Sequence, residues 1–137
     1  MAEIREDKKA LQAQLKKIGG TIAGVMPERW VRIVLGYFVE AETQISHLQI
    51  WFLQAGDDDY TDLQALAWQE DGYDDAIVDT SDLCDALRSF CAKAGDCWNT
   101  MTMTIRRDGS FEVEYSYDAI PDFNARVIRD WQSQYLE

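Results

Sequence analysis

The sequence predicts an α+β fold, in which an antiparallel sheet of four to five strands packs against an N-terminal, a middle and a C-terminal helix. Two observations support this prediction. Apolar residues recur at helical spacing near both ends of the chain, and two pairs of segments between them alternate apolar and polar residues as strands do. The 137 residues contain no linker, repeat or low-complexity tract, so we expect one domain over residues 1–137.

The first predicted element is an amphipathic helix. Its apolar residues recur at spacings of three, four and seven, which places them along one stripe. They are Ile4, Leu11, Leu15, Ile18, Ile22 and Val25. The glycines of "KKIGG" weaken the pattern, and Pro27 ends it.

Two strands are predicted next, with a turn at Glu40 to Glu42 between them. One face of "WVRIVLGYFVE" carries Val31, Ile33, Leu35, Tyr37 and Val39. In "TQISHLQIWFL", Leu48, Ile50 and Phe52 lie on one side, and Ile45 and Trp51 lie on the other.

An acidic segment follows, and its secondary structure is less clearly indicated by the sequence than that of the other segments. "GDDDYTD" has the composition of a loop, "LQALAWQ" fits either a short helix or a third strand, and "DGYDD" indicates a further turn. We predict that the middle helix begins near Thr80, Ser81 and Asp82, since a hydroxyl there can cap the first amides. Its apolar side is Leu83, Leu87, Phe90 and Cys91, and Gly95 marks its end.

The segment "NTMTMTIRRDGSFEVEYSYD" predicts a β-hairpin by its alternation. A two-residue Asp-Gly loop would place Ile105 opposite Glu112, which mismatches the apolar faces of the two strands. A three-residue loop, Arg107 to Gly109, instead pairs Ile105 with Phe111 and Met103 with Val113. We therefore predict the longer loop, with Gly109 in the left-handed conformation.

Pro121 is predicted to open the C-terminal helix. Phe123, Val127, Trp131 and Tyr135 follow one another at four-residue spacing along it. Such a stripe is typical of the core-facing side of a helix, so we assign it no functional role.

Negative charge is concentrated in one part of the chain. The net charge is −12, and residues 33–87 hold thirteen acids and no lysine or arginine. The rest of the chain holds twelve acids and thirteen bases and is nearly neutral. Such a field repels nucleic acids and anionic membranes and attracts cationic surfaces, so we expect no binding to nucleic acid or membrane.

The sequence indicates a soluble cytoplasmic protein. The first residues are charged and lack the apolar centre of a signal peptide, and the best apolar run is broken by Arg32 and Gly36. Cys84, Cys91 and Cys97 are an odd number without a disulfide spacing, and the chain has one histidine to complete a zinc site. We interpret the cysteines as structural thiols.

No motif indicates an active site, so we expect no catalytic residue, no metal ligand and no cofactor. The single histidine, His47, has no evident nucleophile near it in sequence. A calcium loop beginning at Asp57 would need glycine at its sixth position and glutamate at its twelfth, where the chain has Asp62 and Trp68. Weak cation binding by the carboxylates remains an alternative.

Aromatic residues interleaved with the acids favour recognition of a basic protein over plain solvation. The acids would speed the encounter and enforce specificity, and the aromatics would contribute more of the affinity. The predicted partner-binding residues are Asp57, Asp58, Asp59, Tyr60, Asp62, Trp68, Asp71, Tyr73, Asp74 and Asp75.

Three segments resemble the YezG-type immunity proteins. "MPERW" is similar to the family's pattern of proline, acid, any residue and tryptophan before an aromatic strand. "CWNTMTMTIRRDGSFEVEYSYD" matches a strand opened by tryptophan and a glycine turn before a phenylalanine-led strand. "RVIRDWQSQYL" resembles the C-terminal helix, and the three occur in the family's order. Residues 55–80 do not align with the family's third strand.

The resemblance implies an immunity protein, or antitoxin, for a polymorphic toxin used in competition between bacteria. Such proteins bind the catalytic domain of the toxin and catalyse nothing. The toxins often end in nuclease domains, so the expected partner is the C-terminal domain of a cognate toxin, a basic nuclease that grips phosphates. The family has no fixed partner-binding motif to transfer.

Two other functions remain open. The carboxylate cluster would also suit a small metal-dependent hydrolase, which requires a defined divalent-ion site. An acidic regulator that mimics DNA for a harmless DNA-binding protein is the other alternative.

Overall fold

The computed structural model describes residues 2–137, with side chains from Lys8 onward. Within that range the chain forms four helices and one antiparallel sheet of five strands, which confirms the predicted α+β class. The elements are α1 (Ala2–Ala23), β1 (Trp30–Val39), β2 (Ser46–Gln54), β3 (Thr61–Asp62), α2 (Leu63–Ala67), α3 (Asp74–Lys93), β4 (Thr100–Arg106), β5 (Phe111–Ser116) and α4 (Ala125–Tyr135). The strand order is β3-β2-β1-β4-β5. The side chain of Ile4, where the predicted stripe begins, lies outside the described residues.

Both faces of the sheet are covered, one by α1 and α3 and the other by α4. On the first face, Ile18 and Ile22 of α1 and Leu87 of α3 belong to the same buried cluster as Ile33 and Met103 of the sheet. Burial of this large apolar area is the main force that holds the helices to the sheet.

The second face has a smaller core. Val34 and Phe38 of β1 pack with Trp131 of α4 and with Ile120, and the ring centroids of Phe38 and Trp131 are 5.7 Å apart. The aromatic stripe of the C-terminal helix is therefore core, as its spacing predicts. The helix begins later than predicted, because Asn124 caps it by accepting hydrogen bonds from the amides of Arg126 and Val127.

The face assignment of β1 is confirmed except at its start. Ile33, Leu35 and Tyr37 are buried on the first face, but Val31 is exposed and Trp30 is buried in its place. The pairing of β1 with β2 shifts between Trp30 and Arg32, and this irregularity turns the first residues of the strand by one position.

The β4–β5 hairpin has the predicted register. Ile105 pairs with Phe111 and Met103 with Val113. The amide of Arg106 donates to the carbonyl of Ser110 at 2.9 Å, and Gly109 has a φ of 91°, so Arg107 to Gly109 form the three-residue loop.

The start predicted for the middle helix is wrong. Helix α3 begins at Asp74, six residues before Thr80, and Tyr73 precedes it without a side-chain cap. Thr80 is buried inside the helix, where its hydroxyl donates to the carbonyl of Ala76 at 2.6 Å. Burial of Ala76 and Thr80 on one face, together with acids in the first turn, stabilises the start that lacks a cap.

Candidate partner-binding surface

The acidic segment folds into a short strand and a short helix at one edge of the sheet. Thr61 and Asp62 form β3, which pairs with Trp51 and Phe52 of β2. The side chain of Asp62 then caps α2 by accepting from the amides of Gln64 and Ala65, at 3.0 and 3.4 Å. "LQALAWQ" is therefore helical at Leu63–Ala67, and the third strand is limited to two residues.

Leu63 and Leu66 hold α2 against the main core, and the residue after the helix is exposed to solvent. Leu63 is fully buried in the main core, and Leu66 packs against that core. Trp68, which follows the last residue of α2, is 92% exposed. A tryptophan this exposed leaves a large apolar area in water, which is the feature expected of an interface anchor.

Trp68 borders a groove between α2 and the start of α3. The cavity has a volume of about 350 Å³. Its lining residues are Gln64, Ala67, Trp68, Asp74 and Ile77. Two residues predicted for partner binding, Trp68 and Asp74, therefore meet at one site, and the groove adds an apolar wall beside a carboxylate.

Helix α3 continues this surface with residues that the sequence prediction missed. Val78 is 57% exposed and lies one helical turn after Asp74. Asp75, Asp79 and Asp82 are exposed at spacings of four and three, so they share one stripe of the helix. The sequence shows this spacing, but the spacing indicates a helical stripe only when α3 is known to begin at Asp74.

We call the groove and its α3 border the Trp68 surface. It comprises Gln64, Ala67, Trp68, Asp74, Asp75, Ile77 and Val78.

The other predicted residues are distributed differently. Asp57, Asp58 and Asp59 are exposed on the loop between β2 and β3 and do not line the groove. The backbone of this loop is held where the guanidinium of Arg29 donates to the carbonyl of Ala55 at 3.0 Å. Asp71 is also exposed, on the turn before α3.

Both tyrosines of the predicted set are half-buried and pack within the protein. Tyr60 contacts the smaller core beside α4, and its hydroxyl lies 3.5 Å from the guanidinium of Arg32. Tyr73 packs against the main core. Together with the capping role of Asp62, these contacts give three of the ten predicted residues a structural function.

The acids of this region are not neutralised by neighbouring bases. Within residues 8–137, the ion pair between an arginine or lysine and an acid is Arg106 with Glu112 at 3.0 Å, and the imidazole of His47 lies 3.4 Å from a carboxylate oxygen of Glu40. Every acid between Asp57 and Asp85 is therefore outside an ion pair in the part of the chain that the structure describes. Unpaired surface carboxylates project a negative field into solvent and favour a cationic partner.

His47 has a structural setting. Its ring stacks on Phe123, with centroids 4.0 Å apart, and its Nε2 lies 3.4 Å from a carboxylate oxygen of Glu40. Glu40 also accepts from the amide of Phe123 at 3.0 Å, and this bond, more than the histidine, lowers the pKa of Glu40. The three residues fasten the segment before α4 to the end of β1.

The cysteines divide into two environments. Cys84 and Cys91 are buried on the inner side of α3, as structural thiols would be, whereas Cys97 is exposed. Across residues 8–137, no three histidine, cysteine, aspartate or glutamate side chains are grouped so that they could hold a metal ion. In the described range, none of the helices combines the length and apolar character needed to cross a membrane.

Comparison with known proteins identifies one family. The model of a family described as "YezG-like: Immunity protein YezG-like" matches residues 11–136, nearly the whole chain. The matched range begins within α1 and extends past the end of α4. A comparison with curated proteins gave no match.

Proposed function

The chain belongs to the YezG-like immunity protein family, and we propose that it neutralises one cognate bacterial toxin by stoichiometric binding through the Trp68 surface. The family match over residues 11–136 carries the immunity function. The binding surface, the basic nature of the toxin and the absence of catalysis are proposed.

Trp68 is the proposed anchor of the complex. Its indole is 92% exposed in the free protein, so a toxin that covers it removes a large apolar area from water. The adjoining groove supplies Ile77 and Ala67 as an apolar floor for an opposing side chain. Aromatic anchors of this kind contribute about 2 kcal/mol or more to many protein interfaces.

The carboxylates are proposed to act mainly on association. Asp74 lines the groove with Trp68, Asp75 follows it on the exposed side of α3, and Asp57 to Asp59 add negative charge on the loop between β2 and β3. Charges of this kind raise the rate of encounter with a cationic protein and disfavour acidic ones. The Asp57–Asp59 carboxylates lie outside the groove, so their effect on the dissociation rate should be small.

The proposed partner is the C-terminal domain of a toxin with nuclease activity. A nuclease must hold phosphates, and the residues that hold them make its active site basic. The net charge of −12 on this protein and the unpaired acids around Trp68 are complementary to such a site. Bound there, the protein would exclude the nucleic acid and would need no catalytic group of its own.

The test is affinity capture of the tagged full chain from its native host at low and moderate salt, with the bound proteins identified by mass spectrometry. We expect one basic protein in 1:1 ratio, toxic when expressed alone and harmless when expressed with this chain. A captured protein that is harmless alone and binds DNA would contradict the proposal and support the regulator. Capture of no specific protein at either salt concentration would also contradict it.

A further inference from the structure

Strand β5 forms an open edge of the sheet. In the order β3-β2-β1-β4-β5 it has β4 on one side and, among the described residues, no strand on the other. The register and the bond from the Arg106 amide to the Ser110 carbonyl direct the polar backbone groups of Glu112 and Glu114 towards β4. The amides and carbonyls of Phe111, Val113 and Tyr115 therefore point outwards, where a further strand could bond to them.

A groove runs beside this edge, between α4 and the uncovered face of β5. Helix α4 packs over β1 and β4, where the indole of Trp131 donates to the hydroxyl of Thr102 at 3.0 Å. The remaining space over β5 is a cavity of about 540 Å³. The groove is therefore adjacent to any strand added to β5.

The groove is acidic with aromatic walls. Glu114, Asp118 and Asp130 line it, and the described lining residues include no lysine or arginine. Glu114 is held in place because Tyr135 donates to one of its oxygens at 2.6 Å. A side chain with an apolar stem and a cationic end fits such a site, since the stem can lie along Trp131 while the charge meets the carboxylates.

We propose that the β5 edge and this groove form a second docking surface, which binds an extended segment of the toxin bearing lysine or arginine at alternate positions. The segment would add a strand to β5, and its basic side chains on the α4 face would enter the groove. Charge complementarity selects this occupant. A second copy of the chain, paired edge to edge, would instead bring Glu112 and Glu114 against their own counterparts.

The proposal relies on the proposed function for the source of the segment, but its test does not. The probe is a short peptide of alternating valine and lysine, titrated into the isotope-labelled full chain and followed by NMR. We expect chemical-shift changes and slower hydrogen exchange at the amides of Phe111, Val113 and Tyr115, and a shift of the Trp131 indole N–H. A peptide with glutamate in place of lysine should cause neither change.

Two double variants decide between local recognition and general charge attraction. Glu114→Gln with Asp130→Asn should weaken peptide binding several-fold. The double variant removes the negative charge of two groove side chains and keeps their size and shape. Glu42→Gln with Asp122→Asn makes the same charge change at exposed positions outside the groove and should leave binding nearly unchanged. Equal weakening by both, or shifts at the Trp68 indole with none in β5, would overturn the proposal. Either result would leave the immunity function untouched.

Discussion

Gly36 lies in β1 directly beneath the indole of Trp131. A β-carbon added there would stand 2.6 Å from Cζ2 and 2.8 Å from Cε2 of that ring. The ring has little freedom to move away, since its N–H is bonded to the buried hydroxyl of Thr102. The close approach of strand and helix therefore depends on a residue without a side chain.

Gly36→Ala should consequently destabilise the protein. Overpacking of this kind costs about 1–3 kcal/mol, measured as a lower free energy of unfolding in urea. Gly20→Ala is the matched control, because nothing lies within 4 Å of the added carbon on helix α1. The control should be neutral or stabilising by up to about 1 kcal/mol, since alanine favours helix more than glycine does. Equal losses from both substitutions would contradict the packing account.

Burial of the Cys84 thiol makes the free energy of unfolding change with pH in the alkaline range. Burial raises the pKa of this thiol from 9.0 to about 12, so the folded chain keeps a proton that the unfolded chain releases above pH 9. A raised pKa gives stability that is complete below the unfolded value and is lost as pH rises towards the folded value. The loss for one such group is at most about 1.4 kcal/mol per pH unit.

Cys84→Ala should therefore flatten the fall in stability above pH 9, even if it lowers stability at neutral pH. The measurement is the free energy of unfolding in urea, from about pH 7.5 to about pH 10.5, for wild type and variant. Cys97→Ala removes an exposed thiol and should leave the wild-type slope unchanged. Parallel slopes for wild type and Cys84→Ala would show that this thiol does not control the alkaline loss.

At the scale of elements, helix α2 depends on its N-cap. Asp62 accepts from two amides of the first turn, and the helix is only five residues long. Asp62→Ala should lower the free energy of unfolding by about 1 kcal/mol, whereas Asp62→Asn keeps an acceptor and should cost less than about 0.5 kcal/mol. Urea unfolding of both variants tests this. Similar losses would mean that charge, rather than capping, is what Asp62 contributes.

Local signals made some elements predictable. The hairpin follows from alternation and from Gly109, whose positive φ is required by the turn itself. The start of α3 was not predictable in this way, because Tyr73 supplies no side-chain cap and the burial of Ala76 and Thr80 arises from contacts distant in sequence. The exposure of Val31, where Trp30 is buried instead, likewise depends on a shift in the pairing of β1 with β2.

The candidate site was also predictable only in part, because the burial of its side chains depends on contacts distant in sequence. The sequence shows that the acids and Trp68 lie in one segment, and the structure brings Trp68 and Asp74 to one groove. Composition does not tell which side chains face inwards, so Tyr60 and Tyr73 were included although they pack on the two cores. Val78 was missed because its exposure follows from the true start of α3.

At the scale of the whole molecule, charge opposes compactness. Thirteen acids in residues 33–87 face no base in that stretch, and the acids from Asp57 to Asp85 form no ion pair within residues 8–137. Mutual repulsion on this scale lowers the stability of the free protein. A cationic partner would relieve that repulsion on binding. The free energy of repulsion in the unbound protein therefore favours formation of the complex.

Added salt should therefore stabilise the free protein. If screening of the repulsion raises the free energy of unfolding by about 1 kcal/mol, the melting temperature of a chain of this size should rise by roughly 2–8 °C. A variant with Asp57, Asp58 and Asp59 changed to asparagine should be more stable at low salt and respond less to it. A melting temperature that falls as sodium chloride is added would contradict this account, because it would mean that attractive pairs dominate.

The Trp68 surface is proposed to bind the toxin. The most direct test compares bacterial growth under toxin expression for two matched triple variants. One is Trp68→Ala with Asp74→Asn and Asp75→Asn. The other, Ile45→Ala with Glu42→Gln and Asp122→Asn, also truncates one exposed apolar side chain and neutralises two exposed carboxylates, but at positions elsewhere. With both variants shown to be folded, we predict that the first loses protection and the second keeps it. Full protection by the first variant would contradict the claim.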